Sequence, residues 1–345
     1  MVVVNCRLVG APVLATAFLV LAACAGCTGG SAQTSAATGN GSNGADGGDG
    51  RDGADAGVQV LASFYPLQFV AERVGGDRAA VTNLTPPGAE AHDLELAPSD
   101  VAAVGEADLV LHLGGFQPAV DDAVETTGAG NSMDVAEAAD LSLAGGEGAH
   151  AEEHAEEEHA EEEHAEEAAG AEAPDPHFWL DPLRLAAVGD AVAARLAQVD
   201  PEGAAAYEQG AAQLRQDLQA LDAEVEQGLS SCTDRTLVTS HEAFAYLADR
   251  YDLEQVGISG LSAEDEPTAA QMAEVTDFVR VHGVSTIYVE TLVAPELAET
   301  VAAETGASTA VLDPLEGLTE DAAGEDYLAV MRANLEVLRA GQSCA

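Results

Sequence analysis

The sequence predicts an α/β protein of two small lobes, each built on a parallel sheet, joined by one long helix. Apolar, strand-like runs alternate with helical patterns from residue 58 to residue 145, and the same alternation restarts after residue 230. Such alternation is typical of parallel sheets with crossover helices. Between the two regions, leucines and valines recur every three or four residues up to Leu229, which predicts one face of a helix on the order of 40 Å long.

The N-terminal segment predicts export and lipid attachment. Residues 1 to 23 combine Arg7 with an apolar run and small residues, as a lipoprotein signal peptide does. The sequence LAAC at residues 21 to 24 resembles the lipobox of bacterial lipoproteins, in which Cys24 carries the lipid; an ordinary cleaved signal peptide is the alternative. Residues 24 to 57 are rich in Gly, Ser, Asn and Asp and predict a disordered tether. We therefore expect an extracytoplasmic protein that is lipid-anchored to the cell membrane.

The rest of the chain divides into lobe, helix and lobe. The N-terminal lobe is predicted at residues 58 to 202, with strands in VQVLAS, AAVTNLT and ADLVLHLGG and a His/Glu-rich insertion at 146 to 173. The linking helix is predicted at 203 to 230. The C-terminal lobe, at 231 to 345, begins with RTLVTS and a helix from His241 to about Tyr251, continues with EQVGIS, STIYVE and STAVLD, and ends in a helix.

The charge of the chain excludes several classes of partner. The formal net charge is -49 at pH 7 and the chain contains no lysine. Such a polyanion repels phosphate backbones and anionic lipid surfaces, so we expect no nucleic-acid partner. Cations are the natural ligands. We expect the protein to be a monomer.

Four polar residues are predicted to form a metal site in the cleft between the lobes. His92 follows the strand AAVTNLT, His241 and Asp313 directly follow the strands RTLVTS and STAVL, and His177 precedes a helix. In open α/β sheets, ligands bind outside the carboxyl ends of the strands, where these residues would converge. Three imidazoles and one carboxylate are a tetrahedral shell typical of Zn²⁺, and water is the alternative fourth ligand to Asp313. An oxygen-only shell would instead indicate Mg²⁺ or Ca²⁺.

Other polar residues have alternative interpretations. Glu290 ends the strand STIYVE and is a candidate to orient a ligand histidine, or alternatively a hinge or helix-capping residue. His112, within a strand, and His282, near a helix end, are interpreted as structural. Because protons compete with metal for neutral imidazoles, metal capture is expected to weaken below about pH 6.5.

The insertion has two open interpretations. It contains four histidines, His150, His154, His159 and His164, at steps of four, five and five residues among many glutamates. They predict a weak secondary zinc site that concentrates the metal near the cleft, because the uneven spacing does not align all four on one helix face. The alternative is a solvated, self-repelling polyacid without metal.

The cysteines of an exported chain favour a disulfide. Of those downstream of Cys24, Cys27 lies in the tether without an evident partner. Cys232 and Cys344 lie in the C-terminal lobe, and pairing them would tie the C-terminus to the start of that lobe.

The motifs of common enzymes do not occur. His241-Glu242 begins like the zinc-protease signature HExxH, but position 245 is Ala. A hydrolytic zinc also keeps a coordination position open for water, whereas four protein ligands would close the shell. No GxSxG or GxxxxGK[ST] sequence is present. We therefore expect no enzymatic activity.

Several long segments resemble one family. PPGAEAHDLELAPSD, PHFWLDP, TSHEAFAYLADRYDL, GISGLSAEDEPTAAQMAEVTDFV and VLDPLEGLT are similar to the substrate-binding lipoproteins of ABC-type zinc and manganese importers. The resemblance runs from about Val58 to the C-terminus, interrupted by the insertion. It implies two α/β lobes, one rigid connecting helix, and a single metal held at the positions of His92, His177, His241 and Asp313.

The resemblance also implies a cargo and partners. Histidine at position 241 favours zinc, where glutamate would favour manganese, and a His-rich insertion is common in the zinc branch. That branch also has a disulfide in the second lobe, which supports pairing of Cys232 with Cys344. The expected function is capture of Zn²⁺ for import through an ABC permease driven by its ATPase subunit. A manganese or iron receptor of the same fold, or a surface adhesin or zinc store without transport, is the alternative.

Overall fold

A computed structural model describes residues 57–144, 174–263, 266–292, 294–319 and 322–345. The predicted signal peptide, the tether up to residue 56, and the insertion at 146 to 173 lie outside these ranges. Cys24, Cys27 and the four insertion histidines, His150, His154, His159 and His164, are therefore also outside them.

The first lobe is a four-stranded parallel sheet with helices packed around it. Its strand order is β2-β1-β3-β4, and Val60 of β1 pairs with Val81 on one side and Leu109 on the other. The strands are β1 Val58–Ala62, β2 Ala79–Asn83, β3 Leu109–His112 and β4 Ser132–Asp134. The helices are α1 Tyr65–Gly75, α2 Pro98–Glu106, α3 Pro118–Ala123, α4 Ala136–Ala139 and α5 Pro182–Val199.

The second lobe repeats this topology with the strand order β6-β5-β7-β8, also parallel. Its strands are β5 Thr236–Thr239, β6 Glu254–Gly257, β7 Thr286–Val289 and β8 Ser308–Val311. Its helices are α7 Ala245–Arg250, α8 Ala269–His282, α9 Glu296–Thr305 and α10 Tyr327–Gly341. All residues of the central strands β3 and β7 are buried, as expected where helices cover both faces of a parallel sheet.

One 26-residue helix, α6 Ala204–Leu229, connects the lobes. Its buried face includes Leu214, Leu218, Leu221, Val225 and Leu229, which recur at steps of three and four. Ion pairs fix the helix to both lobes: Arg73 of α1 pairs with Asp217, and Arg250 of α7 forms two hydrogen bonds of 2.8 and 2.7 Å with Asp222. The predicted fold class, two parallel α/β lobes joined by a long helix, is confirmed.

The helix predicted from His241 onward begins only at Ala245. Residues 241 to 244 are not helical, because the backbone N–H groups of His241 and Glu242 bond elsewhere. The His241 N–H donates to the Glu290 carboxylate, and the Glu242 N–H donates to the Gly260 carbonyl. The late helix start leaves His241 at the end of its strand, beside the cleft.

A disulfide joins Cys232 and Cys344, which are 112 residues apart in sequence. It connects the segment after α6 to the end of the chain, next to α10. Within the described ranges, none of the helices is both long enough and apolar enough to span a membrane.

Candidate metal centre

Four side chains from both halves of the chain converge in the cleft. One potential ligand atom from each of His92, His177, His241 and Glu316 lies within 4.8 Å of the others. Glu316 Oε1 is 3.4 Å from Nε2 of His177, 3.4 Å from Nε2 of His241 and 3.8 Å from Nε2 of His92. Among the residues described, no other group of His, Cys, Asp or Glu is arranged in this way.

His92 is the most accessible of the four. It lies in the loop between β2 and α2, where its backbone N–H donates to Glu90 Oε1 at 2.9 Å. Its ring packs edge-on against Phe116, with centroids 4.6 Å apart. The side chain is 13% exposed, against at most 2% for the other three, so His92 faces the opening of the site.

His177 is oriented by a residue that sequence reasoning missed, Asp175. Oδ1 of Asp175 accepts the His177 backbone N–H and lies 2.8 Å from the ring Nδ1. The chain then makes a short 3-10 turn at Phe178–Leu180, after which Asp181 caps α5 by accepting the Leu183 N–H. Because Nδ1 is bonded to a carboxylate, Nε2 is left free to face the centre of the site.

His241 is oriented by Glu290 in the same manner. Its Nδ1 lies 2.6 Å from Oε2 of Glu290, while Oε1 accepts the His241 backbone N–H at 3.1 Å. Glu290 follows β7, the neighbour of β5 in the sheet, which brings the two residues together. This is the arrangement expected of a carboxylate that orients a ligand histidine.

The carboxylate in this group is Glu316, whereas sequence reasoning selected Asp313. Asp313 lies two residues after the end of β8 and is buried, but it is outside the group of four. Its Oδ1 accepts the backbone N–H of Leu315 at 2.8 Å, within a turn that directs Glu316 towards the histidines. The sequence signal for Glu316 is its place three residues beyond Asp313 in the segment VLDPLEG, which continues past the strand end.

His112 and His282 do not join the group. Nδ1 of His112 lies 3.5 Å from Asp121 in the first lobe. The ring of His282, at the end of α8, stacks on Phe278 with centroids 4.1 Å apart. Both positions are consistent with the structural interpretation of these residues.

The electrostatics of the cleft favour a cation. Burial lowers the pKa of His177, but its contacts with Asp175 and Glu316 outweigh this effect and leave the pKa raised. Burial also lowers the pKa of His241, yet Glu290 and Glu316 raise it to about 10. Burial raises the pKa of Glu316, but the three histidines hold it well below its ordinary value. A buried carboxylate that stays charged among imidazoles is stabilised by positive charge, whether from protons or from a metal.

A cavity of about 240 Å³ leads to this centre. Its wall includes His92, Phe116, Leu141, Pro176 and Leu261, so residues of both lobes contribute to it. Ala144 and Pro174, which flank the insertion, form an antiparallel bridge, and Pro174 also lines the cavity. The path to the site therefore passes the base of the insertion.

The fold and the site together define a two-lobed α/β protein with a buried three-histidine, one-carboxylate centre in the interlobe cleft. The sequence model of the ZnuA family, described as zinc-uptake complex component A, periplasmic, matches residues 60–341. The chain belongs to this family, and the resemblance seen in its motifs is confirmed.

Two relatives illustrate the similarity. The zinc-binding lipoprotein AdcA of Streptococcus pneumoniae is 36% identical over 289 residues, which are 82% of this chain and 55% of the relative. The chain thus spans about half the length of the streptococcal relatives it matches. The high-affinity zinc uptake system protein ZnuA of Bacillus subtilis is 34% identical over 285 residues, 82% of this chain and 86% of the relative.

Solved structures agree with the fold. The Zn(II)-bound ZnuA-like domain of S. pneumoniae AdcA has a TM-score of 0.65 and 31% identity, covering 83% of this chain and 99% of that domain. The laminin-binding protein Lmb of Streptococcus agalactiae, described as bifunctional with adhesin and metal transporting activity, has a TM-score of 0.68 and 30% identity, covering 83% of this chain and all of the other.

Proposed function

We propose that this protein is an extracytoplasmic receptor that captures Zn²⁺ with high affinity and delivers it to an ABC permease for import. The observation that carries the proposal is the convergence of three imidazole Nε2 atoms on one buried carboxylate oxygen, Glu316 Oε1. Within the described part of the chain, this oxygen has no hydrogen-bond donor, only the longer contacts with the histidines. A buried charged oxygen in this setting supports a role for Glu316 as a metal ligand.

The donor set supports zinc as the cargo. Three neutral nitrogens and one oxygen suit tetrahedral Zn²⁺, whereas Mn²⁺ prefers more oxygen ligands. The names of the relatives, zinc-binding and zinc uptake proteins, support the same choice. A receptor selective for manganese remains the alternative function, and it predicts the opposite order of affinities.

The role of each residue follows from its position. His92, His177, His241 and Glu316 would bind the metal, and Asp175 and Glu290 would orient two of the histidines. Asp313, the fourth ligand predicted from the sequence, would instead support the turn before Glu316. With four protein ligands the metal shell would be closed, so we propose binding and release rather than catalysis.

The attachment and partners are part of the proposal. The description of the family as a periplasmic component of an uptake complex supports a permease and an ATPase subunit as partners. The LAAC sequence supports lipid attachment through Cys24, with the folded part acting as a monomer at the membrane surface. The histidines of the insertion, His150, His154, His159 and His164, would form the weak secondary zinc site near the entrance to the cleft.

The test is a competition titration of the purified protein with zinc and manganese against a chromophoric chelator. We expect one tight zinc equivalent that excess manganese does not displace, and a loss of affinity of at least a hundredfold in His241→Ala. Preferential binding of manganese, or unchanged zinc affinity in the variant, would overturn the proposal.

A variant lacking residues 147 to 172 separates the cleft from the insertion. We expect it to keep the tight zinc site and lose only weak, additional zinc equivalents. If tight binding disappears with the insertion, the cleft is not the primary site.

A further inference from the structure

The short segment between β8 and Glu316 is held by hydrogen bonds from three directions. Leu315, immediately before Glu316, is fully buried and has a φ of 61°, in the left-handed region that non-glycine residues rarely adopt. A conformation of this kind persists only where the surroundings impose it. The contacts that impose it therefore also determine where the Glu316 carboxylate lies.

The first contact lies within the segment. Asp313 Oδ1 accepts the Leu315 N–H at 2.8 Å, which closes the turn on itself. The second comes from the segment that bears His177: the indole N–H of Trp179 donates to the Pro314 carbonyl at 2.8 Å. These two bonds hold both polar groups of the Pro314–Leu315 peptide, the Pro314 carbonyl and the Leu315 N–H.

The third contact comes from Asn334, in the middle of α10. Its Oδ1 accepts the Asp313 N–H at 3.0 Å, and its Nδ2 donates to the Asp313 carbonyl at 2.7 Å. Asn334 is only 3% exposed, so neither bond competes with solvent. One amide thus satisfies both backbone groups of the residue that begins the turn, and fixes the direction in which the chain leaves β8.

We propose that Asn334 is a positioning residue for metal binding: it holds Asp313, and through the turn it holds Glu316 facing the three histidines. This inference rests on the proposed function, because it assigns a role at the same centre. It also gives Asp313 a role in the turn: its backbone is bonded to Asn334 of α10, and its carboxylate accepts the Leu315 N–H.

The alternative is that Asn334 only fastens α10 to the sheet. Both views predict a loss of stability when the amide is removed, so stability alone does not separate them. They differ in the ligand geometry, which a positioning role changes and a general fastening role does not.

The test uses the full chain with Asn334→Leu, which removes both hydrogen bonds and keeps the branched shape of the side chain. The matched control is Gln342→Leu, just beyond the end of α10. Gln342 is also buried, and it bonds to the Thr236 carbonyl and the Tyr288 hydroxyl instead of the segment before Glu316. Asn334→Asp, which keeps an acceptor for the Asp313 N–H and places a carboxylate oxygen instead of the amide donor against the Asp313 carbonyl, serves as a second variant if Asn334→Leu does not fold.

We expect Asn334→Leu to lower zinc affinity about tenfold to a hundredfold, as is typical for residues that support metal ligands, and Gln342→Leu to lower it less than threefold. With Co²⁺ as a spectroscopic probe, the visible absorption of the tetrahedral ion should weaken in Asn334→Leu and stay unchanged in the control. In a Glu316→Gln background, Asn334→Leu should lower zinc affinity further by less than threefold, because its effect acts through Glu316.

Two results would count against these roles in different ways. If the wild type binds zinc and Asn334→Leu has the same zinc affinity and Co²⁺ spectrum, or if the losses add fully in the double variant, Asn334 does not act through Glu316. If the wild type itself binds no zinc, both this inference and the proposed function are overturned.

Discussion

His241 and Glu290 are joined twice, through the ring and through the backbone. The imidazole Nδ1 lies 2.6 Å from one carboxylate oxygen, and the backbone N–H donates to the other at 3.1 Å. A single carboxylate therefore orients the ring, favours a hydrogen on Nδ1, and holds the position of the main chain. Both residues are buried, so water does not compete for these contacts.

The first prediction concerns this pair. Glu290→Gln removes the negative charge that favours hydrogen on Nδ1 and makes His241 a weaker metal ligand, so zinc affinity should fall about tenfold to a hundredfold. Chelator competition measures this. Glu254→Gln, at an exposed position of β6, is the control and should behave as wild type. Equal affinities in the two variants would show that Glu290 does not support the site.

The second prediction concerns the link between Cys232 and Cys344. Its removal by Cys232→Ser with Cys344→Ser frees a loop of 112 residues in the unfolded chain, which should lower the free energy of unfolding by about 4 kcal/mol. Denaturant titration of the metal-free protein measures the loss. Wild type treated with reductant is the matched comparison. A double variant as stable as the oxidised wild type would contradict the prediction.

The third prediction concerns pH. In the metal-free folded protein the pKa of His241 is raised from 6.5 to about 10, so the folded state holds this proton more tightly than the unfolded state. The resulting stabilisation is complete below about pH 6.5 and is lost as pH rises towards 10. Denaturant titrations at several pH values give the free energy of unfolding of wild type and of His241→Gln, and the difference between the two isolates this contribution. A difference that grows with pH would contradict the assigned direction.

The same protons compete with zinc, so zinc affinity should increase with pH over this range. The competition begins at a higher pH than the value of about 6.5 expected from free imidazoles. Chelator competition at pH 6 and pH 8 tests this, and equal affinities at the two values would argue against the histidine centre.

The fourth prediction uses Trp179, the only tryptophan of the chain. Its ring lies 5.2 Å from that of His177, centroid to centroid, and is fully buried. Replacing a proton on His177 by zinc should alter the intrinsic fluorescence, with saturation at one equivalent. Glu316→Gln should shift this saturation to higher zinc concentrations. A fluorescence change that continues over several equivalents of zinc would show that it arises from binding at other sites.

The fold and three of the four converging side chains are predictable because they depend on local rules. Alternating strand and helix patterns indicate parallel sheets, and His92, His177 and His241 lie in loops next to strand or helix ends. Glu316 follows a different rule. It lies beyond a buried left-handed turn at Leu315, and a three-residue displacement of this kind depends on contacts with Trp179 and Asn334 from distant parts of the sequence.

Asp175 was overlooked for a related reason. It is one acidic residue among many, two positions before His177 and just after a long acidic segment, and nothing in the sequence distinguishes it from the other acidic residues. Only its burial, at 1% exposure, and its two contacts with His177 reveal a role. Likewise, the late start of α7 depends on hydrogen bonds that His241 and Glu242 donate to Glu290 and Gly260. A helical pattern in the sequence does not show these distant acceptors.

The distribution of the four converging residues along the chain has a consequence for biosynthesis. His92, His177 and His241 precede Glu316 in the sequence, so the three histidines are synthesised first. A nascent chain emerging from the ribosome therefore lacks a complete centre until synthesis has passed Glu316. Products of termination between His241 and Glu316 would retain the three histidines without the carboxylate and without the turn that positions it.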